Sequence, residues 1–79
     1  MMMVNEHDSV VLTEALPASG LEAEDVGVVV HVYPGGRAFE VEFIALDGST
    51  VAIETLEPHQ IRPIRSREMP HARPLAVAG

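Results

Sequence analysis

The chain has 79 residues, five of them arginine, no lysine and twelve carboxylates, for a formal charge of −7, and it contains no cysteine. That length holds one domain, and the missing thiols exclude a disulfide framework and a thiolate metal centre. Charge is also uneven: −9 through Ile64 and +2 after it.

An acidic body repels nucleic-acid phosphates and anionic lipid, whose binding rests on cationic contacts, and attracts a basic protein. The expected partner is therefore another protein of basic character, with no nucleic acid and no membrane. No apolar run approaches the ~20 residues of a membrane span. The start, MMMVNEHDS, lacks the basic and apolar regions of a signal peptide. Together with the absent cysteines this fits a cytoplasmic location.

Residues 1–7 read as a loose lead-in. Asp8 to Thr13 (DSVVLT) is a short β-branched run and predicts a strand. Glu14 to Asp25 contains Pro17, Ser19 and Gly20 followed by three acids, which reads as a loop. Val26 to Tyr33 (VGVVVHVY) is the strongest strand signal. Alternation places Val26, Val28, Val30 and Val32 on one face and Gly27, Val29, His31 and Tyr33 on the other.

Ala38 to Ile44 (AFEVEFI) alternates again, with Phe39, Val41 and Phe43 opposed to Glu40 and Glu42. PGGR between these strands supplies the positive φ of a tight hairpin. Centring the turn on Gly35 and Gly36 sets Val32 opposite Phe39, Val30 opposite Val41, His31 opposite Glu40 and Val29 opposite Glu42. Both apolar faces then coincide.

LDGST is the next turn, before a strand at Thr50 to Thr55. A three-residue connection, a type I turn with a glycine bulge, would put Val51 and Ile53 on the core face. A two-residue loop would set Phe43 opposite Ala52 and turn Glu54 inward. LEPHQ predicts a single 3₁₀ turn. Ile61 to Ile64 predicts a last short strand, with Pro63 at an edge or end. Residues 65–79 show no period, carry two prolines and read as a flexible tail.

Five short strands with a 3₁₀ turn before the last is the ground plan of an SH3-like barrel, all-β, spanning residues 8–64. The predicted core is Val10, Leu12, Val26, Val28, Val30, Val32, Phe39, Val41, Phe43, Val51, Ile53, Leu56 and Ile61. Burying each side chain contributes roughly 1.5–3 kcal/mol before chain entropy is subtracted.

The run from His7 to Ile64 resembles the small bacterial domain-of-unknown-function family 4926. The matching positions are Asp8, Val10 and Leu12; Leu16-Pro17; Gly20-Leu21; Asp25 and Gly27; Val29, Val30, Val32 and Tyr33; Glu40 to Phe43; Asp47-Gly48; Thr55-Leu56; and Gln60-Ile61-Arg62. Glu24 stands where such sequences commonly have glycine, and Phe39 where they commonly have tyrosine. The resemblance implies an SH3-like barrel and no activity.

Chemistry-bearing patterns are sparse. PGGR is followed by a strand, not by the lysine and helix of a phosphate loop. His31 and Glu40 would make an acid–base pair or an exposed cross-strand pair, and no nucleophile is placed beside them. His7, His31, His59 and His71 lie in separate elements, without the spacing of a metal site. No catalytic residue, cofactor or metal is expected. With no tryptophan and only Tyr33, Phe39 and Phe43, the chain lacks an aromatic groove for polyproline, a methyl-lysine cage and a stacking platform for single strands.

What remains is surface. Glu22, Glu24 and Asp25 in the loop, with outward Glu40 and Glu42, form an acidic face. His31 belongs to the same expected binding face, and the outward Val11, Val29 and Tyr33 would give it an apolar centre. The expected role is a non-catalytic protein-binding module. Self-association through an edge strand or the tail is the alternative, and a small enzyme built on His31 and Glu40 a third reading.

Overall fold

The computed structural model describes residues 3–75. Residues 1–2 of the expected lead-in and 76–79 of the expected tail lie outside the described residues. Five antiparallel strands form one sheet: β1 (Ser9–Leu12), β2 (Val26–Val32), β3 (Phe39–Ile44), β4 (Thr50–Leu56) and β5 (Ile61–Pro63). Their order across the sheet is β4-β3-β2-β1-β5. The ground plan had suggested a closed barrel, but β4 and β5 do not pair: the sheet stays open, with these two strands as its edges.

Three 3₁₀ turns, Pro17–Ser19, Pro34–Gly36 and Pro58–Gln60, complete the regular structure among the described residues. Each opens on a proline, whose fixed φ suits the first helical position and whose missing N–H costs nothing there. The last turn stands directly before β5, as expected. It is tied to the end of β1: the Thr13 amide donates to the Gln60 carbonyl at 2.9 Å and its hydroxyl to the His59 carbonyl at 2.6 Å.

The first hairpin begins as the sequence predicts. Gly35 and Gly36 take φ of 73° and 65°, and the Tyr33 amide donates to the Ala38 carbonyl at 3.0 Å. Val32 pairs with Phe39 and His31 with Glu40. The register then shifts between Val29 and His31, so that Val29, not Val30, faces Val41, and Val28 faces Glu42. Val30 is the extra residue of a β-bulge. A bulge inserts one residue into one strand and reverses the side-chain parity beyond it.

This corrects five of the predicted faces, those of Val26 to Val30. Val29, expected outward, is wholly buried, whereas Val30 and Val26 are 39% and 45% exposed and Val28 is half-buried. The physical reason sits at Gly27, which the bulge turns inward. A Cβ there would meet Val41 Cγ1 at 2.6 Å and Phe43 Cε1 at 2.8 Å. The Phe43 ring occupies the space that only a glycine leaves open.

The second hairpin has the expected loop and an unexpected continuation. Gly48 (φ 91°) ends a turn closed by the Gly48 amide to the Ala45 carbonyl and the Ala45 amide to the Ser49 carbonyl. A second register shift follows between Phe43 and Ile44. It absorbs Val51 and restores the pairing that turns Glu54 inward: Phe43 with Ala52, Val41 with Glu54, Phe39 with Leu56. Ile53, expected in the core, is therefore 56% exposed, while Val51 is half-buried against the core. The inward carboxylate is tolerated because β4 is an edge. Glu54 reaches the rim and accepts the Ser19 hydroxyl at 2.5 Å, which satisfies a group that would otherwise be costly to cover.

The core is Val10, Leu12, Leu21, Val29, Phe39, Val41, Phe43, Leu56 and Ile61. Leu21 joins it from the loop, next to the bridge that its amide and carbonyl make with Leu16. Val11, expected outward, is buried as well, opposite Val26 and Arg62, but lies outside this cluster.

Candidate functional site

The expected acidic face divides into two places. Glu40 and Glu42 project from the outer face of β3, where Val28 and Ile53 flank Glu42, and His31 and Thr55 flank Glu40. Both carboxylates are held by hydroxyls of β4: Glu42 Oε2 accepts Thr50 Oγ1 at 2.6 Å, and Glu40 Oε1 accepts Thr55 Oγ1 at 2.5 Å. His31 and Tyr33 meet edge to face, ring centroids 4.7 Å apart. Val29 is absent from this face because the bulge has turned it into the core.

Glu22, Glu24 and Asp25 sit in the loop before β2, a loop stitched to β1. The Leu12 amide donates to the Asp25 carbonyl at 2.9 Å, and the Glu24 amide to the Leu12 carbonyl at 2.8 Å. Asp25 Oδ2 accepts the Glu22 amide at 2.9 Å. Glu24 is exposed and has φ of 77°, left-handed backbone that favours glycine.

Asp25 is also ion-paired within the chain. Arg73 Nε donates to Oδ1 at 2.9 Å and Nη2 to Oδ2 at 2.5 Å, while Nη2 also reaches the Gly20 carbonyl at 3.2 Å. Nη1 lies 3.4 Å from Glu22 Oε2. The guanidinium hydrogen bond, opposed by partial burial and helped by the Glu22 amide, lowers the Asp25 pKa. A second arginine clasp lies nearby in sequence. Arg62 donates two parallel bonds to Glu68, at 2.9 and 2.6 Å, and the Arg65 amide donates a third at 2.7 Å. The Arg62 bonds first and the amide second hold the Glu68 carboxyl at about 2.

Residues 65–75 carry no helix or strand, yet Arg73 returns them to the loop. Sequence reasoning missed Arg73. Its available signal was the opposite charge of body and tail. Among the described residues no group of three metal-ligating side chains converges, and no helix is long and apolar enough to cross a membrane.

The fold and the surface define a small, open, all-β domain with carboxylates on its outer sheet face and in its longest loop. The chain belongs to the family described as Domain of unknown function (DUF4926), whose model matches residues 6–63. No curated protein and no solved structure matches it.

Proposed function

We propose that the domain is a non-catalytic module that binds a basic protein through the outer face of β2, β3 and β4. The observation that carries this is the row Val28–Glu42–Ile53. A carboxylate oriented by Thr50 lies between a half-buried valine and an isoleucine that is mostly exposed. Ile44 and Val30 add exposed aliphatic surface on either side. A carboxylate oriented among exposed aliphatic side chains offers a basic residue a charge partner for its head and apolar cover for its stem, and the acidic body steers cationic partners to it.

The test compares the tagged chain with its Glu40→Lys/Glu42→Lys variant in lysate of the native host, after nuclease treatment and at two salt concentrations. The captured protein is then purified and titrated directly. A one-to-one complex weakened by the variant and by salt supports the reading. Equal affinity for both forms overturns it.

A second reading, self-association, is favoured by β4. It is a seven-residue open edge with Glu54 as its only charge, and unpaired edges of low charge are templates for another strand. Light scattering over a concentration series, with Ile53→Lys as the comparison, tests it. A monomer at every concentration excludes it.

A further inference from the structure

We propose that the seat of Arg73 is a recognition site for an arginine-bearing segment of a partner protein, and that the chain's own tail fills this seat as an intramolecular competitor. The seat is the Asp25 carboxylate, the Glu22 carboxylate and the Gly20 carbonyl. All three guanidinium nitrogens are addressed, two of them by parallel bonds to one carboxylate. That fork selects arginine over lysine, whose ammonium is a point donor.

The seat is built without the tail. Asp25 Oδ2 is fixed by the Glu22 amide, and the Asp25 backbone by Leu12. Gly20, at φ 71°, closes the Pro17–Ser19 turn through its amide to the Pro17 carbonyl. The side chains of Arg73 and Asp25 are each only 19% exposed, so this is a partly desolvated pair and not a loose surface contact.

Seat and occupant also differ in provenance. Gly20, Glu22 and Asp25 fall inside the family-matched residues 6–63, and Arg73 falls outside them. The domain thus carries an arginine seat, and this chain's extension brings an arginine to it. Beside the seat, Pro17 and Leu21 line a shallow groove with Pro74 and Leu75, so the residues after the arginine meet apolar surface. The ligand class that fits is an arginine followed by proline or a small aliphatic residue. A tethered occupant acts at an effective concentration up to the millimolar range, so a free ligand competes well only once Arg73 is removed.

The experiment uses the full-length chain and a fluorescent peptide with the sequence of residues 69–75, MPHARPL, read by anisotropy. Arg73→Ala should bind the peptide about tenfold or more tightly than the wild type, because the seat is then free. Replacing the peptide's arginine by alanine should abolish binding, and replacing it by lysine should weaken it. Asp25→Asn added to Arg73→Ala should remove binding while circular dichroism stays unchanged. Equal binding by wild type and Arg73→Ala overturns the proposal, as does equal binding of the arginine and alanine peptides, a comparison made on one folded protein. Concentration-dependent dimerisation of the wild type that Arg73→Ala abolishes would assign the seat to the tail of a second copy and overturn the partner.

Discussion

Val29 stands opposite Val41 across β2 and β3, and neither side chain has any exposed surface. The neighbouring Val30, chemically identical, is the bulged residue and faces solvent. Val29→Lys should therefore abolish folding or cost more than about 4 kcal/mol, since it buries an unpaired charge. Val30→Lys should change stability by no more than about 0.5 kcal/mol. Urea denaturation of the two variants checks the bulge directly. Equal losses would restore strict alternation through β2.

Gly27→Ala tests the close approach that the bulge creates. The added methyl would have to displace the Val41 and Phe43 side chains, both buried. Overpacking of this kind costs about 1–3 kcal/mol, and a lowered melting temperature should report it. Pairing it with Phe43→Leu should recover part of the loss, because two of the three nearest atoms belong to the Phe43 ring, the contact with Val41 remaining.

Glu24 pays for a left-handed backbone conformation at φ 77°. The strain of such a conformation for a residue with a Cβ is about 1–2 kcal/mol, and glycine's extra chain entropy offsets part of that. Glu24→Gly should raise stability by about 0.5–1 kcal/mol in urea denaturation. Glu24→Val, whose β-branch worsens the strain, should lower it.

The tail contacts should be lost in acid. The Asp25 pKa is lowered from its ordinary 3.8 by Arg73, and that of Glu68 is lowered from 4.5 to about 2 by Arg62. A group depressed in the folded state contributes stability above its unfolded pKa and loses it as the pH falls through its folded pKa. The Arg73 contact should accordingly be complete above the ordinary Asp value of 3.8 and be lost only as the pH falls below it, through the lowered Asp25 pKa. The Arg62 clasp should open as the pH approaches 2. The Nε–H resonances of Arg73 and Arg62, followed by NMR from pH 7 downward, check both. An Arg73 signal unchanged down to pH 2 would contradict the assignment.

Much of the architecture was legible in the chain. Strand number, the glycine turn at Gly35-Gly36, the glycine-bulge turn at Gly48 and the 3₁₀ turn before β5 each follow from local chemistry, because a turn's φ demands are met by a few residue types at short range. Glu40 and Glu42 were placed outward correctly, since β3 alternates without interruption. The faces of Val26 to Val30 were not legible. A run of three valines looks the same in either parity, and a bulge within it leaves no mark on composition. Ile53 was misplaced for a related reason: a second bulge at Val51 cancelled the effect of a correctly predicted turn.

The sequence by itself determined the all-β character, the family, the turns and the split between an acidic body and a basic extension. These depend on residue types and near-neighbour patterns. Only the tertiary structure decided which valine enters the core, that an inward Glu54 is satisfied by Ser19, and that Arg73 closes on Asp25. Each of these depends on groups distant in sequence sharing one small volume. There, steric exclusion above Gly27 and the cost of an unpaired charge select one arrangement among those that local pattern allows.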